Sequence, residues 1–283
     1  MTGTAHKTFS TADIQALSAA MKVGLLATVN PDGLPHLTLL ASLQANTPTQ
    51  MVFGQFTEGR SKAFIRENPR AGWLVMTLDR QLWRGTADFT HTATQGPEFE
   101  MYNNTPMFRY NAYFGVHTVY YLDLVAHTGR QALPMGRVVL AAVQTMLARA
   151  LSGRRDAAQV LNPWTQALMN KLDNLKFVAY VGADGYPVVI PAIQAQAADA
   201  EHILFSTGAY GDELVAISAG ATVAVFGMSL QMEDVLLRGE FEGIRRVGGV
   251  RCGRVRVDWV YSPMPPKAQQ IYPLAGLEAV RRF

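Results

Sequence analysis

The hydrophobic pattern changes period several times along the chain. Residues 10–21 carry Ile14, Leu17 and Met21 at helical spacing, with Thr11 placed to cap the helix and Asp13 in its first turn. The apolar run at 23–29 reads as a buried strand. Asn30-Pro31-Asp32-Gly33 is a turn in which Gly33 takes positive φ, and residues 35–43 return as the second strand of a hairpin. A third strand follows at 50–56, then a helix at 60–68 stopped by Pro69. Residues 72–78 and 82–91 form a second hairpin. Pro97 opens a short helix to Tyr102, with Glu98 and Glu100 beside the positive end of its dipole, and 116–125 is a last strand. About six short strands with one helix between the third and fourth predict a barrel or sandwich. From 135 to 175 the period is helical. Val138, Val139, Ala142, Met146 and Leu147 form the expected packing stripe, Gly153 ends that helix, and Asn162-Pro163 starts another.

The second half repeats the first. Asp32-Gly33-Leu34-Pro35 returns 152 residues later as Asp184-Gly185-Tyr186-Pro187, and Phe53 maps at the same offset onto Phe205. Arg84-Gly85-Thr86-Ala87-Asp88 returns as Arg238-Gly239-Glu240-Phe241-Glu242 at an offset of 154, a drift one loop absorbs. Three landmarks in order, at nearly one spacing, favour duplication over coincidence. The expected domains are 1–130, a helical connector at 131–172, and 173–283 with an extended tail.

Composition narrows the function classes. Of 283 residues 49% are apolar and 17% charged, with a formal charge of +3, which permits an anionic ligand but gives no clustered basic face for nucleic acid. The one cysteine, Cys252, allows no intrachain disulfide, fits a reducing compartment, and reads as a small buried thiol. The first ten residues are polar, without a signal-peptide core, and the most apolar window, 138–151, is too short for a span of about 20 residues. The chain therefore reads as cytoplasmic, with no membrane partner. The histidines form no metal spacing, and no Walker loop, dinucleotide fingerprint or nucleophile elbow occurs.

Several segments in order resemble the FMN-binding split-barrel family that includes pyridoxamine 5′-phosphate oxidase-like proteins. These are the opening hairpin at 23–40, Gly59-Arg60-Ser61-Lys62 followed by Ile65-Arg66-Glu67-Asn68-Pro69, Trp83-Arg84-Gly85-Thr86-Ala87, and Gly96-Pro97-Glu98. The match covers about 20–125 well and 173–262 more faintly. It implies two tandem six-stranded antiparallel split β-barrels of Greek-key type, forming a pseudo-dimer within the chain and leaving room for a homodimer, with FMN in a groove between barrels. It also implies that Thr38, Leu39 and Leu40, with Phe53, Gly54 and Gln55, lie along the flavin ring and ribityl chain. Gly54 would allow close backbone approach, and Trp83 and Arg84 would face the ring. The substrate-phosphate set of the oxidase itself is not found.

Electrostatics point to the same helix independently. A helix N-terminus carries roughly half a positive charge and favours acids. The helix after Gly59 instead opens with Arg60, Ser61 and Lys62, which suits a bound dianion. Its counterpart opens Gly211-Asp212-Glu213, which satisfies the dipole internally and would repel phosphate. The expected function is FMN binding. It serves either a flavin-dependent oxidoreductase or flavin reductase, with a small-molecule substrate or a donor such as NADH or NADPH, or a non-catalytic flavin, deazaflavin or haem protein acting as store, sensor or electron-transfer partner. The catalytic residues are not assigned, and no metal site is expected.

Overall fold

A computed structural model describes residues 5–56, 59–105, 115–152, 157–263 and 269–273. The chain is mainly β. It divides into two compact units, Met1–Leu133 with Val181–Val189, and Pro134–Tyr180 with Ile190–Phe283. The first sheet contains β1 (Lys22–Val29), β2 (Pro35–Leu39), β3 (Gln44–Thr47), β4 (Gln50–Gln55), β5 (Arg70–Thr77), β6 (Gln81–Ala93), β7 (Thr118–His127) and β8 (Gln131–Ala132). The second contains β9 (Leu175–Val181), β10 (Pro187–Pro191), β11 (Gln196–Ala197), β12 (His202–Ser206), β13 (Thr222–Met228), β14 (Asp234–Val247), β15 (Val250–Ser262) and β16 (Gln269–Tyr272). The helices among the described residues are α1 (Thr11–Leu17), α2 (Arg60–Glu67), α3 (Pro97–Asn104), α4 (Met135–Ser152), α5 (Pro163–Asn170) and α6 (Gly211–Val215).

Both sheets are eight-stranded and run in one order, β2-β1-β5-β6-β7-β4-β3 and β10-β9-β13-β14-β15-β12-β11. The ladders itemised strand by strand are antiparallel, as in β1 on β5 and β13 on β9. The two strands beyond the expected six in each half are short. In the first half β3 arises because the strand expected at 35–43 turns early: Leu40 N–H donates to Gly24 O at 2.7 Å and Leu43 N–H to Leu40 O at 3.0 Å. One core cluster takes Leu26 from β1, Ala45 from β3, Phe53 from β4, Trp73 from β5, Trp83 from β6 and Tyr120 from β7. Strands at opposite ends of the sheet path thus bury side chains in the same core, which only a sheet curled on itself can do.

Turns and bulges recur with the strands. Gly33 and Gly185 take φ of 78° and 81° in the two matching turns. The ladder slips between Thr86 and Ala87 in the first sheet and between Arg238 and Gly239 in the second, and a β-carbon at Gly85 or Gly239 would collide with the carbonyl oxygens of Ala126 and Arg256. Ser42 Oγ donates to Gly54 O at 3.1 Å, and 152 residues on Gln194 Nε2 donates to Ser206 O at 2.9 Å.

The repeat also includes a helix. Ser10, not Thr11, caps α1: its Oγ accepts Asp13 N–H at 3.1 Å while Asp13 Oδ2 accepts Ser10 N–H at 3.1 Å, a capping box. Asn162 caps α5 at the same 152-residue offset, its Oδ1 accepting Thr165 N–H at 2.8 Å. Leu17 and Met169 end the two helices fully buried. Helix α5 is thus the second-half counterpart of α1, and the segment expected as a separate connector at 131–172 clusters from Pro134 onward with the second unit.

Helix α4 faces opposite to expectation. Val138, Ala141, Thr145 and Ala148 are its buried residues, whereas Val139, Met146 and Leu147 are exposed. The sheet is too close for large side chains: Thr145 Oγ1 accepts Ser206 N–H at 2.9 Å, and Ala141 Cβ lies 3.2 Å from where a Gly208 β-carbon would stand. Gly153 and the tail beyond 273 lie outside the described residues.

Two lysines, Lys176 buried and Lys22 half-buried, carry a pH consequence. Lys22 Nζ donates to Ala19 O at 2.8 Å and Lys176 Nζ to Lys171 O at 2.5 Å, carbonyls 152 residues apart at the C-terminal ends of α1 and α5. Burial lowers each ammonium from 10.5 to about 8, and Asp173 partly opposes this at Lys176. Between those values the unfolded chain holds the proton that the folded lysine has released. Stability therefore rises with pH across that window, the cost of the buried charge being full below about 8. Urea unfolding should show the native protein gaining on the order of 3 kcal/mol relative to Lys176→Met between those pH values; parallel curves for the two proteins would refute it.

Candidate functional site

Helix α2 lies between β4 and β5 and packs on β1 and β2. Ser61 and Ile65, one turn apart, form its buried side, and Ile65 enters the core. Gly59, the N-cap residue, is extended at φ −160° and ψ 158°, gives no side-chain cap, and no acid occupies the first turn. The first backbone N–H groups therefore lack the usual side-chain acceptor. The Lys62 ammonium folds back over this end, 3.8 Å from where a Gly59 β-carbon would stand. Arg60 is exposed beside it.

Ser61 is fixed from below. Its Oγ and Thr38 Oγ1 of β2 are in short hydrogen-bond contact, tying the helix start to the neighbouring strand. One turn on, Phe64 meets the buried His36 ring edge-on at 5.3 Å. At the far end Arg66 donates to Tyr120 Oη at 2.8 Å, and Tyr120 donates to Gln55 Oε1 at 2.9 Å. The sequence reading did not assign Arg66; its place in the last turn, where a cation suits the dipole, was the available signal.

The counterpart α6 opens differently. It is five residues long, begins after Tyr210 in the left-handed region at φ 53°, and has Asp212 and Glu213 in its first turn. At the repeat offset Ile190 and Glu213 stand for Thr38 and Ser61, so the hydroxyl pair has no equivalent.

The expected ring-side residues divide. Thr38 and Leu39 are half-buried near the start of α2, and Leu40 turns into the core. Phe53 is fully buried, stacked on Tyr120 at 4.7 Å and 11°. Gly54 does not offer an open approach: a β-carbon there would meet Val116 at 2.7 Å and Tyr102 at 3.5 Å, so protein already fills that space. Gln55 is held by Tyr120. Trp83 does not face outward either. It is fully buried, and its Nε1–H donates to Asp13 Oδ1 at 2.9 Å. Large aromatics in a small barrel fill the core first, and alternation then turns Arg84 to the other face. Arg84 is 5% exposed and donates to Val189 O at 3.2 Å. Its repeat equivalent, Arg238, lies over Trp259 at 4.3 Å.

Other chemistry is sparse. Burial pushes the Cys252 thiol up to about 11, away from nucleophilic use. Among the described residues no three His, Cys, Asp or Glu side chains converge as metal ligands, and no helix is long and apolar enough to cross a membrane.

No family model matches the chain, and no curated protein matches it. Solved structures do. An FMN-binding protein from Syntrophomonas wolfei subsp. wolfei is 14% identical, with 41% of this chain and 81% of that one covered and a TM-score of 0.35. An F420 reductase is 18% identical, covering 42% and 98% at a TM-score of 0.33. An FAD-binding protein from Mesorhizobium loti is 17% identical, covering 44% and 95% at 0.30.

Asp13 gives the site a test. Burial works to raise its carboxyl, but hydrogen bonds from Ser10 and Trp83 outweigh this and hold it below its ordinary value. Its stabilisation is therefore present at neutral pH and lost as pH falls through the carboxylate range. Trp83→Phe should cost about 1 kcal/mol at neutral pH, shrinking in acid, and should leave flavin affinity unchanged. A flavin titration showing strongly weakened binding would return Trp83 to the ring site.

Proposed function

We propose that the chain binds one FMN, with its phosphate at the N-terminus of α2, and works as a flavin-dependent oxidoreductase or flavin reductase. The observation that carries this reading is the contrast between two equivalent helices. Helix α2 opens at a glycine N-cap, with Arg60 and Lys62 at its positive end and Ser61 anchored by Thr38, whereas α6 opens with Asp212 and Glu213. Two cations at a dipole's positive end suit a bound anion lying between them.

The fit is good at the phosphate end and narrower at the ring. Arg60 offers a planar fork, Lys62 a point charge, and the first turn its backbone N–H groups. Thr38 and Leu39 are the half-buried residues next to that anchor. Phe53, Gly54 and Trp83 are occupied by the core and line no slot. A bound flavin would supply the electron and hydride transfer, with NADH or NADPH as the natural donor class. We also read the common strand order and 152-residue offset as internal duplication, with one phosphate site retained.

The visible spectrum of the purified protein separates flavin from deazaflavin and haem, and reduction by NADH or NADPH separates an enzyme from a store or sensor. Charge-assisted hydrogen bonds contribute about 1.5–3 kcal/mol, so Arg60→Ala should weaken FMN roughly 10- to 100-fold. Riboflavin, which lacks the phosphate, should hardly respond. Equal losses for both ligands would remove the phosphate from α2. Released flavin should amount to one equivalent per chain; two equivalents would contradict the reading of α6.

A further inference from the structure

Helix α4 is apolar on both sides. Its inner side carries Ala141, Thr145 and Ala148, small residues set close to β12 and β15. Its outer side carries the large ones: Val139, Leu140, Val143, Met146, Leu147 and Leu151 lie within an arc of roughly 140° on a 3.6-residue helix. Leu140 is 59% exposed, Leu147 62% and Leu151 70%. A helix that turns its bulkier apolar residues outward needs a second apolar phase.

Charge identifies that phase. The helix contains no acid from Met135 to Ser152. Its two charged residues, Arg137 and Arg149, flank the apolar arc on opposite sides, roughly 40° and 60° beyond its edges on the same wheel. At the β14–β15 tip Val247 and Val250 pack with Ala148, and Leu151 lies against Gly248. Arg246 and Arg251 stand directly opposite each other and, by alternation with Val247 and Val250, turn to the ladder face away from α4. The acids of β14 are engaged farther along, Glu242 with Arg254 at 3.2 Å and Glu240 with Arg256 at 2.6 Å.

We propose that the outer face of α4, flanked by Arg137 and Arg149, docks on an anionic lipid surface, with α4 lying in the plane of the headgroups. Leucines, valines and a methionine enter the acyl boundary while flanking arginines reach phosphates, the arrangement of interfacial helices. A second copy of the chain fits less well, because pairing α4 with α4 brings arginines onto arginines with no acid in either helix. The association is with a surface only, since the inner face of α4 is committed to the sheet. The expectation of no membrane partner is revised to this extent.

Co-sedimentation of the full chain tests it, with vesicles of phosphatidylcholine alone and of phosphatidylcholine mixed with phosphatidylserine. Binding should require phosphatidylserine and fall with salt. Leu147→Asp should weaken it at least roughly tenfold by placing a charge in the apolar arc, and so should the pair Arg137→Glu and Arg149→Glu. The two variants alter different sides of α4, so unfolding of one, seen by circular dichroism, leaves the other as the test. The proposal is overturned if phosphatidylserine vesicles capture no protein, if neutral vesicles capture as much, or if folded variants bind like the native chain. It is also overturned if sedimentation without lipid shows a dimer that Leu147→Asp dissociates.

Discussion

The structure depends on one constraint: strands far apart along the sheet path must bury their apolar sides in a single core. Leu26 of β1 and Ala45 of β3 belong to one cluster although four strands lie between β1 and β3 along the path. Meeting that demand curls the sheet, and the curl accounts for features that look unrelated. It requires the glycines at Gly85 and Gly239, where strands approach too closely for any β-carbon. It draws Ile65 inward and so lays α2 across β1 and β2. With Ile65 fixed, Ser61 one turn earlier meets Thr38, and the helix start is set in place. The proposed anion-binding end is thus positioned by hydrophobic packing rather than by a ligand.

The two halves answer the same constraint with different parts. On the outer face of β4 and β7, Val52, Val119 and Tyr121 are covered by Tyr102 of α3 and by Val116. In the second sheet, Leu204 stands at the position of Val52, and β14 and β15 join through a tight hairpin, so no helix can arise between them. Ala148 of α4 covers Leu204 and Cys252 instead. A helix from outside the repeat has taken over a structural task of α3. Similarly Lys176 stands where the first half has Gly24, yet its ammonium reaches the carbonyl that Lys22 reaches in the first half. Geometry is preserved at the helix end while the residue supplying it moves.

These substitutions also set what the sequence could reveal. Strand positions, the hairpin at Asn30–Gly33 and the repeated strand order were legible because period and turn chemistry are local. The charge inversion at α2 against α6 was legible because a macrodipole acts within one turn. Which side chains of β4 and β6 face the core was not. Whether Trp83 or Arg84 points inward depends on strand phase relative to a curled core, and alternation alone leaves that sign open. Gly54 illustrates the same limit: a glycine marks close approach but not by what, and here Val116 fills the space. Helix capping shifted by one residue, from Thr11 to Ser10, because both can cap and only Ser10 reaches Asp13 N–H while Asp13 reaches back.

Helix α4 carries the argument furthest. Its apolar residues are too many for one face, so hydrophobic periodicity chose the stripe with the larger side chains as the buried one. Packing chose the other. A helix crossing a sheet at close range buries small residues, since each methylene inserted into a packed interface forces backbone or rotamer shifts costing typically 1–3 kcal/mol. Ala141, Thr145 and Ala148 meet that requirement, and Thr145 adds a hydrogen bond to Ser206. The leucines and valines are then left outside by exclusion, not by a failure of patterning. An isolated globular domain would be expected to carry polar residues there. That this helix instead has large apolar residues, with arginine as its one charged residue type, indicates a second environment acting on the sequence.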